Sequence, residues 1–380
     1  MFEDVDVTTN WCGGGCDLNE IHNKLCWQFR KGYNLIAPPI QHNCKSLHYY
    51  TKSSFHRNVL SNVRCIGGAH RSGFYAQTQD GFYHVINQLD VDITVTQSHF
   101  FSNVKIVQIA SSYSHTLALT DTGRVYVWGS SGANVPALGL GDDYRECPVP
   151  TQIEGLPFIR RIFSGNSSCF SFAVTPCGDV FAWGRNSSCQ LGLGDGRHRS
   201  KPELLESLGR VSCMTSGDAQ VFAVDASGLM FSWGLNYPNG ILGYNSAVEM
   251  VSRPNEVVSM RRLDIQDVFY TNRSVLALSR SCKIYGWDVK ESEGRCKMFS
   301  EIKLMNNYIV RGLMCGTNNA VVTVQDGEVE KMYVVGAYED TPNVGDSYSD
   351  QHPYIKTLTK KNNNEQYLVG RYCTYLLDSE

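Results

Sequence analysis

The sequence predicts an all-β fold, a seven-bladed β-propeller closed by pairing of N- and C-terminal strands. Three observations predict it. A strand–turn–strand unit recurs along most of the chain, the dipeptide Trp-Gly ends its second strand at Trp128, Trp183 and Trp233, and the C-terminal segment reads as a blade short of a strand. Turn residues Gly81, Gly123, Gly178, Gly228, Cys282 and Gly327 are spaced at about 42 to 55 residues, the range of propeller blades.

The clearest unit is Ser171–Gly196. Phe172 and Val174 alternate with smaller residues, as in a strand buried on one face. Pro176-Cys177-Gly178 supplies a turn, with Gly178 free to take positive φ. Val180-Phe181-Ala182-Trp183 has the β-branched and aromatic bias of a second strand. Gly184, Gly192 and Gly194 then break the pattern and turn the chain away. In chain order the other copies are Gly73–Ile86, Ser114–Gly132, Gln220–Asn236, Ser274–Lys290 and Ala320–Ala337, with Cys282 in the place of a turn glycine. Residues 104–286 carry the clearest repeats; 14–56 and 338–366 read as irregular or divergent parts of one propeller domain spanning 1–380.

Val369–Glu380 reads as the first strand of the same hairpin, stopped at its turn. An unpaired strand edge would remain, and a strand from the N-terminal region would cover it. Val5–Trp11 and Ser46–Thr51 are the two candidates, the first favoured because it ends in an aromatic before Gly13-Gly14-Gly15. The blades number seven or eight, according to whether residues 14–56 form one, and seven is the expectation.

Of the 380 residues 42% are hydrophobic, and no run of eighteen apolar residues offers a membrane span. The start, MFEDVDVTTN, is acidic and lacks the apolar stretch of a secretory signal. The 14 cysteines are scattered singly, which suits small, buried, reduced side chains in a cytoplasmic or nuclear protein. Net charge is −3, and the basic pairs Arg160-Arg161, Arg261-Arg262 and Lys360-Lys361 stand apart. A direct nucleic-acid binder carries a basic stripe, so none is expected here. The expected partner is a protein, met by a monomer, away from membranes.

At the level of the repeat, the chain resembles the regulator of chromosome condensation family. Ser114-His115-Thr116-Leu117-Ala118-Leu119, Asp121–Gly129, Trp183-Gly184-Arg185-Asn186, Gln190–Asp195 and Leu138-Gly139-Leu140-Gly141-Asp142 carry the resemblance. It implies a seven-bladed propeller, and its founding member is an exchange factor for the Ran GTPase. The chain departs from that pattern. The Ser-His of the repeat's first strand occurs once, at Ser114-His115, and the places aligned with it read Ser171-Phe172, Gln220-Val221 and Ser274-Val275. The founding members' basic tail is missing too, which argues against Ran itself and against their mode of chromatin binding.

No catalytic constellation stands out. The Leu-Gly-Leu-Gly-Asp loops lack the Lys-Ser/Thr of a phosphate cradle, and no Gly-x-Ser-x-Gly or His-Glu-x-x-His motif is present. Cys12, Cys16, His22 and Cys26 match no standard zinc spacing, and His42, Cys44 and His48 form a weaker set, so neither metal nor cofactor is expected. Packing alone accounts for Trp128, Trp183, Trp233 and Trp287. The loops are the better candidates for partner binding: Asn134, Val135 and Pro136 in an extended loop, Asp142 and Asp143 beside it, then Asp195, Arg197, His198 and Tyr237. The function expected is regulation of a small Ras-superfamily GTPase, as an exchange factor that stabilises the nucleotide-free state. The alternative is a non-catalytic propeller adaptor in a chromatin, trafficking or ubiquitin-related complex.

Overall fold

The computed structural model describes residues 44–50, 55–70, 73–88, 92–112, 114–131, 135–165, 169–237, 240–244, 248–271, 274–290, 295–296, 300–302, 309–315, 319–326, 329–336, 355–359, 365–369 and 374–379. Its strands are β1 (Cys44–Tyr50), β2 (Phe55–His70), β3 (Gly73–Thr78), β4 (Phe82–Gln88) and β5 (Asp92–Ser98). Three four-stranded antiparallel blades follow in strict chain order. The first holds β6 (Ile106–Ser111), β7 (His115–Thr120), β8 (Val125–Ser130) and β9 (Glu146–Gln152). The second holds β10 (Arg161–Ser164), β11 (Phe170–Val174), β12 (Val180–Gly184) and β13 (Arg199–Leu204). The third holds β14 (Val211–Ser216), β15 (Gln220–Asp225), β16 (Met230–Leu235) and β17 (Met250–Glu256).

The next sheet runs β18 (Ile265–Thr271), β19 (Ser274–Ser279) and β20 (Ile284–Lys290), with β21 (Arg295–Cys296) and β22 (Ser300–Ile302) both paired to β20. Another comprises β23 (Ile309–Cys315), β24 (Asn319–Asp326), β25 (Val329–Gly336) and β26 (Ile355–Thr359). Finally β27 (Glu365–Val369) and β28 (Thr374–Ser379) join the N-terminal strands in one sheet, ordered β27-β28-β1-β2-β3-β4-β5. No helix among the described residues is long and apolar enough to cross a membrane.

Several expectations change at this point. Val369–Glu380 is not a first strand: it contains the last residue of β27, a connection, and the whole of β28. The strand beside β28 is β1, with Leu47 opposite Leu377 and Tyr49 opposite Tyr375, so the second N-terminal candidate is the one paired. The favoured segment, Val5–Trp11, lies outside the described residues, as do Cys12, Cys16, His22, Cys26 and His42. Parts of the two stretches read as irregular, 44–50 and 355–359 among them, are strand.

The second strands are not half-buried either. All positions of β7 and β11 are buried. They lie in the middle of a blade packed by neighbours on both faces, so near-continuous burial replaces alternation. The cores are therefore seams between blades. Leu117, Val127 and Ile162 pack with Trp183 across one seam, and Phe172, Val180 and Leu191 pack with Trp233 across the next. The outermost strands are half exposed and carry Pro148, Pro150, Pro202 and Pro254, which withhold the N–H groups an added strand would need.

The turns follow the sequence reading closely. Gly178 has φ +91° and donates its N–H to Thr175 O at 3.0 Å. Cys282 adopts φ +62° in the matching turn and donates to Ser279 O at 2.9 Å, so a side chain there accepts the left-handed conformation glycine takes elsewhere. Gly184 differs from its reading: it stays within β12, opposite Phe170 and Arg199, at a register shift against β13.

Of the described side chains, Cys65, Cys147 and Cys213 are buried as free thiols, and Cys177 is exposed at its turn. Burial pushes the Cys65 thiol up to about 12, which leaves it a packing residue rather than a nucleophile.

Candidate partner-binding face

Strand direction alternates across each blade. Connections from first to second strand and from third to fourth therefore lie on one edge, while the tight turns lie on the other. Every loop residue singled out in the sequence belongs to a third-to-fourth connection: 131–145, 185–198 or 236–249. The topology thus brings these loops to one face of the blades.

Each loop is held by a residue three positions after the tryptophan. Asn186 is fully buried; its Nδ2 donates to Asp195 O at 2.7 Å and its Oδ1 accepts from Leu191 N at 2.8 Å. Asn236 does the same job, donating to Val248 O at 2.9 Å and accepting from Leu242 N at 3.0 Å. These two asparagines satisfy backbone groups that the loops would otherwise bury unpaired. Their role was not predicted, although the recurrence Trp-Gly-x-Asn was the available signal.

The predicted residues divide by what they touch. Asp142 and Asp143 are exposed, and no ion pair involves them among the described residues. Tyr237 is 67% exposed, next to exposed Val248 and Met250, where β17 begins. Val135 and Pro136 are half-buried, and Asn134 lies outside the described residues. Asp195 is committed within its own loop. Its carboxylate accepts from Arg199 Nη1 and Nη2, both at 3.1 Å, from Arg197 Nε at 2.9 Å and from Arg197 N at 3.0 Å. The hydrogen bonds from Arg199, with those from Arg197, hold its pKa far below the usual carboxylate range. His198 is likewise tied inward, Nδ1 accepting from Asn186 N at 2.9 Å. Arg197 keeps most of its side chain, 82%, in solvent.

Beneath the loops, His115 bridges two blades. It is buried, with Nδ1 2.7 Å from Ser112 Oγ and Nε2 2.7 Å from Ser171 Oγ. Each hydroxyl can donate or accept, so either neutral tautomer is satisfied. Burial lowers the imidazole from 6.5 to about 4. The unfolded chain therefore takes up this proton first. Stability from this group is complete above pH 6.5 and is lost as pH falls toward 4, by about 3 kcal/mol in all. Urea midpoints of the His115→Phe variant should lose that part of the pH dependence, and an unchanged profile would show that His115 does not carry it.

The strand register also revises which residues correspond to Ser114-His115. His115 lies opposite Gly129, Phe170 opposite Gly184 and Gln220 opposite Gly234. The matching pairs are thus Cys169-Phe170 and Ala219-Gln220, one or two residues before those aligned by sequence. Ser-His remains unique to its blade among these three.

Residues 106–134, 122–172 and 178–224 match the regulator of chromosome condensation (RCC1) repeat. This region is built of RCC1-like repeats. Over 164 residues, 42% of this chain, the RCC1-like region is 34% identical to the human probable E3 ubiquitin-protein ligase HERC4. That match spans only 15% of HERC4's length. Among solved structures, human WBSCR16 superposes with a TM-score of 0.70 at 13% identity, covering 88% of this chain and 99% of that one. Prp20p from Saccharomyces cerevisiae gives 0.65 at 16% identity, covering 92% and 94%. These similarities establish an RCC1-like β-propeller fold.

Proposed function

We propose that residues 1–380 form one seven-bladed propeller whose loop face binds a protein partner, and that this partner is a small Ras-superfamily GTPase. In support of seven blades, the inner strands β2, β6, β10, β14, β18, β23 and β27 follow one another as packed neighbours. The 16-residue β2 lies between β27, β28 and β1 on one side and β3–β5 on the other in one seven-stranded sheet, which supports reading that sheet as two blades joined where the ring would close. The observation that carries the functional reading is the gathering of all three divergent loops on one face of a fold shared with Prp20p, described as binding Gsp1p and histones.

Exchange requires no proton transfer, covalent step, metal or cofactor. It requires a rigid surface that binds the nucleotide-free GTPase better than the loaded one, and the populations shift by that difference alone. Asp142, Asp143, Arg197 and Tyr237 are the exposed groups offered to it, with Asn134, Val135 and Pro136 as the inserted loop. Asp195 and His198 act by shaping their loop. The protein would work as a monomer in the cytoplasm or nucleus, without contacting nucleic acid.

Affinity capture from lysate in EDTA, and in magnesium with GTP, tests this reading. A small GTPase enriched only in the EDTA arm, and lost with Asp142→Lys/Asp143→Lys, is the expected result. A partner retained equally in both arms, with no GTPase among them, would replace it with the second reading. That reading is an adaptor in a ubiquitin-related assembly, favoured by the 34% identity to a segment of HERC4.

A further inference from the structure

The three loops repeat one another closely enough for a defect in one of them to be legible. Gly192 lies against the indole of Trp233, and Trp233 Nε1 donates to Gln190 O at 2.9 Å. Gly139 lies in the same way against the indole of Trp183, one blade earlier. There the bond is missing: Trp183 is fully buried and its Nε1 has no partner. The residue matching Gln190 is Ala137, and its carbonyl does not receive the indole N–H.

The clamp explains the difference. Asn186 and Asn236 hold the amides of Leu191 and Leu242, the residue just after the position of the accepting carbonyl. The matching residue in the 131–145 loop is Ser131. Its shorter side chain takes the amide of Ala137 at 3.1 Å, one residue early, and donates to Tyr144 O at 3.3 Å. Leu138 N, the counterpart of Leu191 N, has no such clamp. Both ends of the segment are fixed, by Ser131 on one side and by Gly141 N donating to Ser200 O at 2.9 Å on the other. Leu138 itself is buried in the seam.

We infer that the Ala137–Leu138 peptide has two arrangements: the one seen, and a rotated one in which Ala137 O accepts from Trp183 Nε1 and Leu138 N turns to Ser131 Oγ. A rotation of one peptide plane pairs two groups now unpaired, with the loop ends and the Leu138 side chain left in place. Burying an unpaired donor is unfavourable enough to make the alternative accessible. The asparagine clamps leave the other two loops no equivalent freedom. The Ala137–Leu138 peptide is thereby the adjustable point on this face, whatever its partner.

Indole exchange tests the inference directly. In the full chain labelled with ¹⁵N-tryptophan, the Trp183 and Trp233 indole signals are assigned by their loss in Trp183→Phe and Trp233→Phe. Solvent exchange of the Trp183 indole N–H should be at least about tenfold faster than that of Trp233, the ratio expected for one missing hydrogen bond. Ser131→Asn, which supplies the longer clamp, should slow it toward the Trp233 rate. Equal rates in the unmodified chain would overturn the inference, as would a Ser131→Asn variant that folds and leaves the Trp183 rate unchanged. The wild-type comparison stands by itself if that variant does not fold.

Discussion

Trp233→Ala should lower the stability of the folded chain by about 3–5 kcal/mol, the range for removing a large buried aromatic. The indole is fully buried and stands edge-on to Phe172, with ring centroids 6.2 Å apart and planes at 88°. It belongs to the seam between its own blade and the preceding one, packed with Phe170, Val180 and Leu191 on the far side and with Met214, Val221 and Ala223 on the near side. Alanine would leave a cavity in that seam and strip Gln190 O of its donor at the same time. Since blades contact mainly their neighbours, the loss should fall on one interface instead of spreading over the chain. Urea unfolding would measure it. A change below about 1 kcal/mol would mean that the seam collapses into the space, and that the tryptophan recurs for some reason other than packing.

The same residue marks how far the sequence could be read. Strands and turns were legible because their signals are local: Gly178 and Cys282 declare their turns within a few residues. The burial of β11 on both faces was not, since a blade's second face is covered by residues one whole repeat away. The Ser112–His115–Ser171 bridge joins positions 56 apart, and no periodicity announces it. Aligning Ser114-His115 by residue type rather than strand register displaced the comparison by one or two positions. Within the loops, charge was visible and its use was not. Asp195 reads as a free carboxylate until Arg197 and Arg199 are seen closing on it, whereas Asp142 and Asp143 remain available in the folded chain. Asn186 and Asn236 were hidden in the family signature, where an asparagine after Trp-Gly looks like a turn residue and is in fact the clamp for a whole loop.

Gly234→Ala should destabilise by about 4 kcal/mol, by two effects that add. Its φ of +100° is unfavourable for any residue with a side chain. A Cβ at that position would also lie 2.0 Å from Ala219 O. The clash is built into the blade, because Ala219 O accepts the N–H of the next residue, Leu235, at 2.9 Å. Moving the carbonyl away breaks that bond. Gly184 and Gly129 repeat the arrangement, with Cys169 O and Ser114 O accepting from Arg185 N and Ser130 N at 2.8 Å each. Trp-Gly is therefore one device: the tryptophan fills the seam, and the glycine lets the two loops of the same blade edge meet at their base. Gly155 separates the two effects, for it has φ +83° and nothing within 4 Å of an added Cβ. Gly155→Ala should lose only about 1–2 kcal/mol, the conformational part. If both variants lose the same amount in urea unfolding, the close approach to the carbonyl is not what demands glycine. If Gly234→Ala loses the larger amount, amide exchange should also rise at Asn236 and Leu242, because the clamp starts two residues beyond the strained position.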